Sequence, residues 1–281
     1  MIDVYIYVAF GLGVLVGQLT RWRSPWVDRA ILLDIIALVF FLGVLLAGLP
    51  ATHLLVAIPL ALGLVGLTLG VTLGLTFVLP RGPPASGTGS RPRPLGVLIV
   101  IGLVVGYLAG RFTALPGQTA LTATLLLLMA LVGFNIRLSW SALRTAPTPI
   151  LASLAGAVLA APIFVLATGF PFRPTLATAL GFGFYSLAGP LVTTSVGPLA
   201  GLVAFLTNFF RENLTMVTAP WIGRRVRAEG LTAMGGATAM DTTLYFVTAY
   251  GDAEAGSMAL ASGLTLTVVA SLAVPLVLAL L

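Results

Sequence analysis

Apolar segments at 4–20, 30–49, 54–79, 95–110, 119–136, 150–170, 175–196, 200–222, 231–249 and 255–281 take up nearly all of a 281-residue chain. At roughly 20 apolar residues per crossing, that length allows about eight to ten membrane segments. Inside a bilayer every backbone N–H and C=O must be satisfied within the protein, so segments of this kind are helical. The chain is therefore expected to be an all-α polytopic membrane protein. A soluble enzyme is excluded by composition: 8% of residues are charged, against roughly 25% in a soluble domain.

The charges that remain report topology. All 14 basic residues are arginine, set against 8 acids, for a formal +6. The arginines occur one to three at a time between apolar runs, which is no nucleic-acid signal. With the amino terminus outside, Arg21, Arg23, Arg29, Arg81, Arg91, Arg93, Arg137 and Arg144 all fall in cytoplasmic loops, leaving Arg111 and Arg173 outside, as the positive-inside rule requires. The first apolar segment is followed by Arg21-Trp22-Arg23 and lacks a basic region before it, so it reads as an uncleaved span. There is no cysteine, and His53, the single histidine, lies in a short outer connection. No cofactor and no metal site is expected.

One linker stands out, 80–94, rich in Pro, Gly and Ser with three arginines, and expected to be a cytoplasmic loop. A repeat straddles it: Gly13, Gly17 and Leu19 in the first span, Gly102, Gly106 and Leu108 in the fourth, each followed 26 or 27 residues on by Gly43 and Gly133. An offset of three spans gives the copies opposite orientation, an inverted-repeat secondary-transporter architecture; glycines four apart also simply let helices approach closely. The expected organisation is a first helical repeat at 1–79, the loop at 80–94, a second repeat at 95–172, and a region of broken helices at 173–281. Close packing of glycine-bearing helices also allows a homodimer.

Two segments cannot be uninterrupted helices. Gly181, Gly183, Gly189, Pro190, Gly197 and Pro198 place six breakers in 18 residues, and Gly235-Gly236 interrupts 230–243. Irregular backbone survives at membrane depth only where it is buried in protein or lines a watery cavity, and paired interruptions point to a transport site. Arg224, Arg225 and Arg227 fall on the cytoplasmic side only if 175–198 is re-entrant or broken.

Four charges lie where lipid should be: Asp34, Arg211, Glu212 and Asp241. An ionisable group there is a functional candidate. At 100° per residue, Asn208, Arg211, Glu212 and Thr215 form one polar stripe on an apolar helix, which should face a cavity; a structural ion pair of Glu212 with Arg211 or another arginine is the competing expectation. Asp241, followed by Thr242 and Thr243, suits either a cation or proton site or a cap on the next half-helix through the backbone of Thr243 or Leu244. Asp34 follows Arg29 by about one and a half turns and could reach the interface. An aspartyl protease would need Asp34 and Asp241 in a GxGD frame, which neither has.

The runs Gly181-Phe182-Gly183-Phe184-Tyr185-Ser186-Leu187-Ala188-Gly189, Ser195-Val196-Gly197-Pro198, Asn208 with Arg211-Glu212, and Gly235-Gly236-Ala237-Thr238-Ala239-Met240-Asp241 resemble the lysine exporter family LysO. The resemblance is close over the last hundred residues and loose over the first 170. It implies export of L-lysine and its analogue thialysine across the cytoplasmic membrane, with the family acid of the Arg-Glu motif falling on Glu212. Lysine carries two ammonium groups and one carboxylate. On this reading Glu212 and Asp241 attract the ammonium groups, half-helix ends near Gly189 and Gly236 offer N–H donors to the carboxylate, and Tyr185, Ser186, Asn208, Arg211 and Thr242 complete the substrate and proton site, with Asp34 as a further candidate. Cation export against an inside-negative potential costs about 2.3 kcal/mol per charge per 100 mV, so proton antiport is expected. A sodium or proton antiporter without an amino-acid substrate would use the same acids.

The natural absence of cysteine makes topology directly testable. An Arg225→Cys variant in right-side-out cells is expected to resist an impermeant thiol reagent until the membrane is opened; labelling from outside alone would overturn the broken or re-entrant reading.

Overall fold

The computed structural model describes residues 2–20, 25–48, 51–79, 95–135, 146–223, 225–250 and 255–280. The 80–94 linker and the topology-marking residues Arg21, Arg23, Arg137, Arg144 and Arg224 lie outside these. Every regular element among the described residues is helical: α1 (Ile2–Thr20), α2 (Pro25–Ala47), α3 (Ala51–Val78), α4 (Leu95–Phe112), α5 (Gly117–Asn135), α6 (Pro147–Thr168), α7 (Phe172–Ala179), α8 (Tyr185–Val196), α9 (Pro198–Ile222), α10 (Ala228–Gly235), a 3-10 turn (Gly236–Met240), α11 (Leu244–Tyr250) and α12 (Ala255–Leu280). Three stretches, Thr52–Val78, Pro147–Thr168 and Ala255–Ala279, are long and apolar enough to cross a membrane.

The chain divides into two compact units, residues 1–49 with 90–138 and residues 50–89 with 139–281. In the first, α1 packs on α5 and α4 on α2, while α2 and α5 touch each other. Glycine makes both pairings. A Cβ on Gly13 or Gly17 would run into the carbonyl oxygens of Ala130 and Phe134 in α5, and one on Gly106 or Gly110 into those of Phe40 and Val44 in α2. Such contacts bring backbones together in lipid, where no hydrophobic force separates helix from tail. The glycine pair of α4 that presses on its partner is thus Gly106 and Gly110, one turn beyond the Gly102 and Gly106 frame read from the sequence. A Cβ on Gly102 would meet Ile36 only at an ordinary 3.5 Å.

In the second unit α3 and α6 lie side by side, with Gly156 set against Thr72 and Gly63 against the Phe164 ring. Around them are α9 and two interrupted helices. At about 1.5 Å rise per residue, the eight residues of α7 and of α10 are half-helices. The first interruption falls at 180–184, where Phe182 and Gly183 have φ of 50° and 98°. Gly189 and Pro190, expected at the break, instead lie within α8. A proline at the sixth helical position removes one N–H, whose partner would be the Ser186 carbonyl, and membrane helices tolerate that loss. The turn into the left-handed region, rather than the number of breakers, ends the helix. Behind the second break α12 comes so close that a Cβ on Gly263 would strike the Met240 nitrogen and the Ala237 oxygen.

The glycine contacts set an expected stability difference. Gly106→Ala should cost about 1–3 kcal/mol by forcing α4 from α2 and lower the thermal midpoint of purified protein. Gly11→Ala, with open space around its Cβ, should leave the midpoint level or slightly raised.

Candidate functional site at the crossing of two helix breaks

The two breaks meet. The Ala237 N–H donates to the Phe182 carbonyl at 2.8 Å, joining the second interruption to the first. Gly236, with φ of 65°, sits so near that carbonyl that a Cβ would strike it. Gly236 demands glycine both for conformation and for close approach.

Opened helices leave carbonyls and N–H groups that lipid cannot satisfy. On α9, Asn208 and Arg211 supply the partners. The Asn208 side chain accepts from the Gly183 N–H at 2.7 Å and donates to the carbonyls of Thr178 at 3.0 Å and Ala204 at 2.9 Å. Gly181 lacks the Cβ that would occupy the same space as that amide. One turn along, Arg211 donates through Nε to Met234 O at 3.0 Å and through Nη2 to Ala233 O at 2.9 Å, at the carboxyl end of α10. Its guanidinium stands 5.9 Å from the centre of the Phe182 ring. Ser153 of α6 donates to the same Ala233 carbonyl, and Thr238 and Thr243 hydroxyls take up Gly235 O and Thr238 O. A cation at a helix carboxyl end is also favoured by the helix dipole.

Glu212, next on α9, is only 1% exposed. Its Oε1 has no hydrogen-bond partner, while the Thr242 side chain lies within hydrogen-bonding reach of the carboxylate. Arg211 pairs with neither acid; an ion pair among the described residues joins Arg227 to Glu229, at 3.6 Å. The competing expectation of a Glu212–Arg211 pair is therefore not what the structure contains. Asp241 follows the 3-10 turn, is half-buried, and accepts from both the N–H and the hydroxyl of Thr242. The expected side-chain cap on Thr243 or Leu244 is not formed: Thr242 lies ahead of α11, and the N–H groups of Thr243 and Leu244 donate to the backbone carbonyls of Thr238 and Asp241. Glu212 and Asp241 are close enough for their charges to act on one another, and Tyr185 lies near both. The Tyr185 ring packs edge-on against Phe205 and Phe209, which stack on each other.

The structure thus gathers Tyr185, Asn208, Arg211, Glu212, Asp241 and Thr242 in one unit. The backbone of Ser186 lies in the first turn of α8. Asp34 is buried on α2 in the other unit, with Oδ2 unpartnered. Three participants escaped the sequence reading. Phe182, set between two glycines, signalled a turn but not its carbonyl's role; Thr238 followed a recognised break; Ser153, a lone serine in an Ala- and Gly-rich helix, gave no signal.

Fold and site together describe an all-helical protein of membrane type, with two interrupted helices joined at their breaks and two acids beside them. The chain belongs to the lysine exporter family LysO, whose sequence profile matches residues 97–278. It is 34% identical over 192 residues to "Lysine exporter LysO" of Escherichia coli (strain K12), covering 65% of this chain and 61% of that protein's length. A relative from Haemophilus influenzae is 30% identical over 176 residues, 59% of this chain and 87% of its own length. The chain therefore spans less than two thirds of the Escherichia coli relative. No solved structure matches it.

The caps have a measurable consequence. Asn208→Leu strands the Gly183 N–H in an apolar interior and leaves the Thr178 carbonyl the Gly181 N–H alone, and is expected to cost about 2–5 kcal/mol, read as a lower thermal midpoint. Thr265→Val, at an exposed hydroxyl bonded only within its own helix, should be nearly neutral.

Proposed function

We propose that this protein is a secondary active transporter that exports L-lysine, and analogues such as thialysine, across the cytoplasmic membrane in exchange for protons. The observation that carries the proposal is the unpartnered Glu212 Oε1, 1% exposed and beside Asp241 and Thr242 at the crossing of two broken helices. A buried carboxylate oxygen without a donor is costly unless a cation or a proton visits it. Lysine brings two ammonium groups to two carboxylates, and a proton replaces it on one of them for the return. The names of the relatives support lysine as the cargo.

Helix exchange supports the inverted repeat at 1–79 and 95–172: α1–α2 and α4–α5 swap partners in the first unit, and α3 pairs with α6 in the second. An odd number of spans separates the copies, which gives them opposite orientation. The remaining region, 173–281, holds the broken or re-entrant segments. This reading places the amino terminus outside and the protein in the inner membrane, with homodimer formation open through its glycine-rich helices. A sodium or proton antiporter using the same acids is the second reading, favoured by the same unpartnered oxygen; an imposed sodium gradient distinguishes it.

Proteoliposomes loaded with labelled lysine test the proposal. An inward proton gradient should drive efflux from wild type, and Glu212→Gln or Asp241→Asn should lower the rate at least about 100-fold, the scale expected when one member of a charged site is lost. Normal lysine movement in Glu212→Gln would overturn it.

A further inference from the structure

Arg211 is the unusual charge at this site. It is 2% exposed, bonded to two backbone carbonyls and paired with no acid among the described residues. Substrate receptors release what they hold; this guanidinium is tied to the end of α10 and its charge stays with the site. The elements packed against α9 carry few others. His53 begins α3, Arg173 begins α7, and Glu229 begins α10 with Arg227 as its partner, so all four stand at helix ends. Tyr245 and Tyr250 on α11 are neutral, as is Tyr185, and α6 and α12 contain no ionisable side chain. Near the crossing of the breaks, the charges are Arg211, Glu212 and Asp241.

We infer that Arg211 is a specificity-determining residue that holds the site at one net negative charge, so that it is neutralised by one lysine or by one proton but not by a doubly charged amine. This rests on the lysine and proton exchange proposed above. With both carboxylates ionised and Arg211 cationic, a bound lysine, net charge +1, leaves the site neutral. When lysine departs, a proton on one carboxylate restores neutrality for the return. Neither form carries net charge through the low-dielectric interior, where an uncompensated charge is expensive. The diamine produced by decarboxylating lysine, 1,5-diaminopentane, has the same two ammonium groups and no carboxylate. It would leave the site with a net positive charge and is excluded for that reason.

The test uses purified full-length protein in proteoliposomes with the voltage set by a potassium gradient and valinomycin. Movement of one net charge per cycle would shift the equilibrium lysine ratio about 50-fold per 100 mV. Wild type is expected to show no such shift and to hold one tenfold lysine ratio per pH unit. Lysine exchange that follows the voltage overturns the inference while leaving lysine transport intact; absence of any lysine movement overturns the underlying function instead. In Arg211→Gln, which keeps an amide donor for a carbonyl but loses the charge, 1,5-diaminopentane flux is expected to rise at least about tenfold above the wild-type value, one step of about 1.4 kcal/mol. Arg211→Lys keeps the charge and should continue to exclude the diamine. If Arg211→Gln loses lysine transport with no absolute gain for the diamine, while remaining folded by its thermal midpoint, Arg211 binds substrate directly and the inference fails. Should that variant not fold, the voltage measurement on wild type decides.

Discussion

Satisfaction of opened backbone away from water is the constraint on which the second unit depends. Two helices are broken at 180–184 and 235–240, and each break strands polar groups that a bilayer cannot serve. α9 resolves both from one face, Asn208 at the first and Arg211 at the second, while Ala237 and Phe182 bond the breaks directly to each other. The glycines at 181, 236 and 263 are the steric counterpart, each leaving room for an amide, a carbonyl or a neighbouring helix. These bonds tie both breaks to one helix.

Several buried side-chain atoms lack a partner, Thr207 Oγ1 and Asn213 Oδ1 of the same helix among them, and Glu212 Oε1 is the carboxylate oxygen of that set beside the breaks. The chain spends Asn208 and Arg211, its immediate neighbours on the helix, on backbone carbonyls and an N–H, yet leaves Glu212 Oε1 without a donor. The polar stripe therefore has two jobs, with capping at 208 and 211 and an open acceptor at 212. Asp241, held by Thr242 and half-buried, supplies the second carboxylate. Two acids and one immobile cation are what the proposed exchange of one lysine for one proton requires.

Much of this was legible in the sequence. Apolar segment lengths and sparse charge announced the helical membrane protein, and Gly181, Gly183 and Gly235-Gly236 marked both breaks. The signature around Glu212 and Asp241 pointed to the family. What sequence could not resolve was pairing. Gly189 and Pro190 resemble breakers as strongly as Gly183 does, but only the latter takes a left-handed conformation, and that depends on Asn208 arriving from 25 residues away. Likewise Arg211 beside Glu212 suggests an ion pair, whereas the helix points adjacent side chains apart and α10 offers its terminal carbonyls. In the first unit the glycine spacing was visible, but which turn of α4 meets α2 depends on the partner's position.

Substrate binding by purified protein, measured as a thermal shift, tests the central claim most directly, because a ligand that binds the folded state alone raises its midpoint. Saturating lysine is expected to raise the midpoint of the wild-type protein and to leave those of Glu212→Gln and Asp241→Asn unchanged. An equal lysine-dependent rise in all three would show that lysine binds elsewhere and that the crossing of the breaks is not its site.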